Sequence, residues 1–375
     1  MFKFLNKILS NFDLNLYYSK NNTLEQRNNI LFEIFEKLAL EIQFTNEVDN
    51  NTIYPICNLS NPWIHNKEVF SDELINYINN GLKVIIFNVN ETISEDAFKQ
   101  FIDYLKNKNI EEKNIYFLVN NWKIDLYKKK YKSKINYHKP IFLHQVHSKI
   151  LQTNEVDFIK DKKFSFMCHN NKMWIHRYLI VSLLHHNSFL DDTDFSVIDY
   201  NKDFEIKDFL NKKELEKYSE SLKYIKSLKN KRSYFEKNLD CIDSNYIEKK
   251  TFEQSFVNIV NETDFDDNTI HITEKSLKPF YYYQYPIFVA PYQHCKYLRD
   301  YGFDFFDDII DHSYDNEKNN KKRIFMIIDE LIRIKNNINF FKNNYINFES
   351  RFLKNQKIVK DLVNLNNDKN YLKRL

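Results

Sequence analysis

An α/β fold of two domains, each built on a mainly parallel sheet, is what the amino-acid sequence predicts, and three observations carry that reading. Apolar segments of strand length alternate with amphipathic segments of helix length, the pattern of β-α-β units feeding a parallel sheet. The alternation runs as two series, separated by a charged stretch at 160–163 (KDKK) that reads as an interdomain linker. A chain of 375 residues with 43% hydrophobic and 16% aromatic content can bury the core that two domains require.

The elements follow in order. Residues 1–9 carry Lys3, Lys7 and a short apolar run. Asn6, Asn11 and Asp13 interrupt that run before it reaches the length of a signal peptide or membrane span, so a short amphipathic helix is expected there. In the first series, 83–89 (KVIIFNV) reads as a buried strand, 94–106 as a helix, 115–119 (IYFLV) as a strand and 141–144 as another. The second series opens with 164–169 (FSFMCH) as a strand, 173–186 as a helix and 194–198 as a strand. A Lys/Glu-rich helix around 212–228 follows, then the strand 255–260 (SFVNIV) and a short strand at 269–272. Glu274 opens a helix that Pro279 can kink, and 286–290 (PIFVA) is again a strand. From about residue 321 the chain reads as helical, with apolar residues at helical spacing in 324–332. The expected division is an N-terminal α/β domain (1–160), a C-terminal α/β domain (161–320) and a helical tail (321–375).

Composition excludes several functions. Only Gly81 and Gly302 are glycine, against about 7% in ordinary chains. No glycine-rich phosphate loop of the Walker or dinucleotide type can therefore be written, and any phosphate must be held by side chains and helix N-termini. The formal charge is +3, so there is no net basic field of the kind a dedicated nucleic-acid binder carries. The basic runs 128–130 and 321–323 read as solvated faces. Cys57, Cys168, Cys241 and Cys295 are far apart and form no metal-binding pair or disulfide framework, which fits a reducing cytoplasm. His185 and His186, at consecutive helical positions, read as structural.

Open α/β sheets bind ligands beyond the carboxyl ends of their strands, so the strand-to-helix junctions of the second half come first. The window 256–291 (FVNIVNETDFDDNTIHITEKSLKPFYYYQYPIFVAP) places Glu262 just past one apolar strand and Glu274 and Lys275 just past the next. Thr273 is a suitable N-cap, which leaves Glu274 and Lys275 in a first helical turn, where backbone N–H groups and the dipole favour an anion. A diphosphate fits there with Lys275 as counter-charge, while a carboxylate accepts hydroxyl protons from ribose or sugar. A Thr cap followed by Glu is also an ordinary helix start.

This window resembles the donor-binding segment of the alpha-fucosyltransferases, in which a strand and Phe-Glu-Asn-Ser lead through a loop to Thr-Glu-Lys, a helix and a Pro-bearing strand. Glu262, Thr273, Glu274, Lys275, Pro286 and Pro291 occupy the matching positions. Thr263 after Glu262 and His271 in place of Tyr depart from the pattern. Residues 166–180 (FMCHNNKMWIHRYLI) resemble the Asn-rich turn and Arg-bearing helix start of the same family, which implies Arg177 as a donor-phosphate residue and Asn170 at the turn. Gly302, Phe303 and the run 310–315 (IDHSYD) are similar to uncharacterised virus- and phage-encoded glycosyltransferases.

The resemblance implies two Rossmann-like domains facing a cleft (the GT-B arrangement), a nucleoside-diphosphate sugar donor, GDP-fucose in that family, and a glycan or other hydroxyl acceptor. It implies no essential metal or other cofactor, and an inverting reaction in which Arg177 and Lys275 stabilise the departing diphosphate. The base is expected across the cleft. Glu91, just after the strand at 83–89, is the candidate, with His144 and His147 as rivals. Two other readings stay open: a non-enzymatic glycan- or protein-binding module of a virus particle, and a nucleic-acid-modifying glycosyltransferase. The second calls for a basic cleft, where the sequence offers scattered lysines.

Overall fold

The structure, a computed structural model, describes residues 2–6, 41–49, 51–57, 69–88, 93–119, 121–139, 156–170, 172–198, 206–228, 231, 252–265, 269–362 and 373. The chain forms two compact units: residues 1–147 with 268–272 and 363–375, and residues 148–267 with 273–362.

The first unit carries strands β1 (Phe2–Leu5), β2 (Ile42–Thr45), β3 (Thr52–Cys57), β4 (Lys83–Asn88), β5 (Ile115–Val119) and β6 (Asn136–His138). They lie in the order β2-β1-β3-β4-β5-β6, every neighbouring pair parallel. Helices α1 (Asp72–Asn79), α2 (Glu95–Asn107) and α3 (Ile124–Tyr131) connect them. Ser71 and Ser94 cap the first two by accepting the N–H groups of Leu74 and Ala97, and acidic residues in each first turn complement the dipole. Tyr54, Ile56, Val84, Ile86, Phe117 and Val119 of the sheet pack with Leu74, Ile78, Phe98, Phe101 and Leu105 of the helices in one core.

Within the helix predicted over 1–9, residues 2–5 form β1 instead. So short a helix is marginal, whereas pairing with β2 and β3 satisfies the backbone on both sides and buries Phe4 and Leu5. The strand predicted at 141–144 lies outside the described residues.

The second unit is built on β7 (Phe164–Cys168), β8 (Thr193–Phe195), β9 (Ser255–Asn261) and β10 (Tyr285–Val289), in the order β10-β9-β7-β8 and all parallel. Helix α4 (Ile175–His186) follows β7 and is buried without a break from His176 to Leu184. Helices α5 (Lys212–Ser227), α6 (Glu274–Tyr281), α7 (His294–Asp300), α8 (Asn320–Asn336), α9 (Ile338–Asn344) and α10 (Glu349–Leu362) complete it. α4 packs on α5 through His185, which hydrogen-bonds Ser221 Oγ at 2.8 Å and stacks on Tyr224. The helices after residue 319 pack on the same unit: Phe352 meets Tyr285 and Phe306, and Gln356 donates to the Tyr281 carbonyl. The two α/β units on parallel sheets are the fold class read from the sequence.

Residues 269–272 form no strand. β9 is already paired with β10 and β7, so the sheet has no free edge beside it. The segment instead joins the first unit, where the Trp122 N–H donates to the Ile270 carbonyl at 3.0 Å.

The outer edge of β10 is closed by side chains. Tyr314 accepts the Phe288 N–H at 3.1 Å, and His312 Nε2 donates to the Pro286 carbonyl at 3.1 Å. Asp315 accepts the N–H groups of Cys295 and Lys296 at the start of α7. The 310–315 run is thus an architectural clamp on β10 and α7.

Glycine scarcity leaves other residues in the left-handed region, among them Lys132 at the end of α3 with φ 50 and ψ 38. That conformation costs a residue bearing a Cβ about 1–2 kcal/mol, and Lys132 is exposed. Lys132→Gly is expected to raise stability by about 0.5–1 kcal/mol in urea unfolding, the gain being cut by the flexibility glycine adds to the unfolded chain. A loss of stability would refute the strain.

Candidate functional site

The site follows from strand order. The chain leaves β7 for β8 on one side, then returns to β9 on the other, so the direction of winding reverses between β7 and β9. At such a switch point the two following connections part and leave a crevice at the carboxyl ends of the strands. Here those connections are the turn after β7 that enters α4 and the segment after β9 that leads to α6.

Glu262, the first residue beyond β9, organises this edge and is 1% exposed. Its carboxylate accepts the Thr273 hydroxyl at 2.8 Å (Oε2) and the Ser276 hydroxyl (Oε1). Ser276 Oγ in turn lies 2.8 Å from His294 Nε2. With the serine proton on Glu262, the imidazole must donate from Nε2. A buried chain thus runs His294, Ser276, Glu262, Thr273, and it fixes the first turn of α6. Thr273 caps that turn, its Oγ1 accepting the Lys275 N–H at 3.2 Å.

Arg177 is 3% exposed. Its guanidinium donates to backbone: Nη1 to the Lys172 carbonyl at 2.7 Å, and Nε and Nη2 to the Glu262 carbonyl at 3.3 and 2.9 Å. His176 Nε2 donates to that same carbonyl at 3.0 Å, and its ring stacks on Phe265. Burial and the neighbouring Arg177 charge push the His176 pKa down to about 3, so the ring is neutral. Burial also lowers Arg177, to about 10, against the pull of Glu262 and Glu274, and it keeps its charge at neutral pH.

Glu274 is buried while Lys275 keeps 31% of its side chain exposed, and Lys275 Nζ lies 3.1 Å from Glu274 Oε1. Burial opposes ionisation of Glu274, but Lys275 and Lys278 outweigh it and hold the pKa at about 2. Asn170 stands two residues beyond β7, where its N–H donates to Ser196 Oγ at 2.9 Å.

Asn170, Arg177, Glu262, Thr273, Glu274 and Lys275 therefore all lie on the two connections that border the switch point. Glu91, His144 and His147 lie outside the described residues. Four further residues belong to the constellation: Asn261, His176, Ser276 and His294. Asn261 could be noticed as a polar residue closing an apolar strand, and Ser276 as the hydroxyl one turn beyond Thr273. His294 carries no local signal, because it arrives from a later helix. Among the described residues no group of three or more His, Cys, Asp and Glu side chains converges as a metal site would, and no helix is long and apolar enough to cross a membrane.

No protein-family model and no curated protein sequence matches the chain. Among solved structures it is similar to a DNA-modifying β-glucosyltransferase, at 12% identity over 96% of this chain and 99% of that chain, with a TM-score of 0.32. It is also similar to a glycosyltransferase from Rickettsia africae ESF-5, at 11% identity over 88% of this chain and 84% of that chain, with a TM-score of 0.27.

Proposed function

We propose that the switch-point crevice of the second unit binds a nucleoside-diphosphate sugar and that the protein is a glycosyltransferase acting on a glycan or other hydroxyl acceptor. One observation carries this reading: at the switch point of a parallel sheet, the Thr273-capped start of α6 presents a partly exposed Lys275 beside a buried, ionised Glu274. A cation and a helix N-terminus suit a diphosphate, and they stabilise the charge that grows on it as the sugar departs. The adjacent carboxylate suits sugar hydroxyls. Arg177, with donors held by two backbone carbonyls, acts as the brace that joins the two connections. GDP is the first nucleotide to test, with Glu91 as the base of an inverting transfer that requires no metal.

A thermal-shift screen of the full chain with GDP, UDP, CDP and dTDP tests the proposal. One nucleotide is expected to stabilise the wild type by about 2.7 kcal/mol at a hundred times its Kd. Lys275→Ala is expected to abolish that gain; because it also takes from buried Glu274 its ion-pair partner, the gain is read against the variant's own unliganded melting point. A wild type that none of the four stabilises would overturn the donor site.

A further inference from the structure

Two side-chain oxygens at the carboxyl ends of the switch-point strands are buried with no hydrogen-bond partner: Oδ1 of Asn170 and Oδ1 of Asn261. Buried polar atoms are normally paired, so such an atom points to an absent partner. The two asparagines share a neighbour. Asn261 Nδ2 lies 3.3 Å and Asn170 Nδ2 3.6 Å from Cys168 Sγ, and Asn170 Nδ2 also reaches the Ser196 carbonyl at 3.5 Å. With both amide nitrogens turned to that sulfur and carbonyl, each amide is left with its acceptor oxygen. Both side chains are almost fully buried, at 1% and 3% exposure.

Both unpaired atoms are acceptors, so their partner must bring donors. A diphosphate at neutral pH carries acceptor oxygens and fits beside Lys275, not here. A polyol brings O–H donors. The geometry points to Asn261, with Asn170, as the cradle for sugar hydroxyls of the bound nucleotide, making Asn261 a residue that selects ligands by those hydroxyls. This rests on the donor-binding reading and adds which part of the donor the end of β9 holds. Two parts of a nucleoside-diphosphate sugar share the chemistry, the ribose and the transferred sugar. A site built to pair hydroxyls rejects analogues that lack them, because its own buried polar atoms then stay unpaired.

Calorimetric titration of the full chain separates the cases. The ligands are the nucleoside diphosphate that stabilises the wild type, its 2′-deoxy and 3′-deoxy forms, and the corresponding nucleotide sugars. The proteins are wild type, Asn261→Ala and, should alanine impair folding, Asn261→Ser. If the cradle holds ribose, the wild type binds the parent diphosphate at least about tenfold more tightly than a deoxy form, and Asn261→Ala compresses that ratio toward one. If it holds the transferred sugar, the ratio between nucleotide sugar and free diphosphate is the one that collapses. A uniform loss across all ligands, or none, in a variant that still binds nucleotide would overturn the assignment and leave Asn261 as a packing residue with ordered water on its oxygen. Failure of every nucleotide to bind the wild type would instead remove the donor site and, with it, this cradle.

Discussion

Replacing Arg177 with leucine is expected to lower the unfolding free energy by about 3–5 kcal/mol, the cost of removing one partner from a buried charged network. The guanidinium sits between the Lys172 and Glu262 carbonyls, and it supplies positive charge close to Glu262 and Glu274. Leucine fills part of the volume but leaves two carbonyls and two buried carboxylates short of it. Arg177→Lys should recover little, since an ammonium on a flexible stem cannot span both carbonyls as a planar fork does. Urea unfolding followed by circular dichroism measures the change. A leucine variant with a midpoint close to wild type would show that the brace carries no weight.

Acid should destabilise the fold well above the range of ordinary carboxylates. The folded pKa of His176, about 3, lies below its unfolded value of 6.5. Between those values the unfolded chain binds the extra proton, so stability is full above pH 6.5 and falls as pH drops toward 3. At pH 5 the loss is about 2 kcal/mol from this residue alone. Glu274 adds to it lower down: its folded pKa of about 2 lies below the usual 4.5, so its contribution is present above pH 4.5 and lost toward pH 2. His176→Gln can still donate to the Glu262 carbonyl but cannot titrate. It should flatten the profile of unfolding free energy between pH 6.5 and 5, and an unchanged slope would assign the acid sensitivity elsewhere.

The sequence and the structure agree where local pattern is enough. Residues 115–119 (IYFLV) are an apolar run and 256–260 (FVNIV) one broken only by Asn258, because central parallel strands are covered on both faces, and such runs announce themselves. The capped start of α6 was legible for a similar reason, since a Thr cap and its first turn lie within a few residues. Non-local partners decided the rest. Phe2–Leu5 is a strand because β2 and β3, drawn from residues 42–57, flank it. Residues 269–272 have β-like composition, but β9, the strand before them, is already paired on both sides. Arg177 could be singled out as a charged residue in an apolar helix, yet its attachment to the carbonyl of Glu262 depends on which strand lies beside β7. The contact of His294 with Ser276 spans a whole strand and its connections, and no spacing rule reports it.

The clamp on β10 also bears on how the second unit assembles during synthesis. An uncovered outer strand offers its main chain to any other extended chain nearby. β10 ends at Val289, but the groups that occupy its outer side, His312 and Tyr314, lie further along the chain. While the ribosome is still delivering those residues, β10 can dock on β9 with its far side open. Through that interval the strand presents an edge that a second copy of the chain can pair with, and the edge closes when the 310–315 segment emerges and folds back.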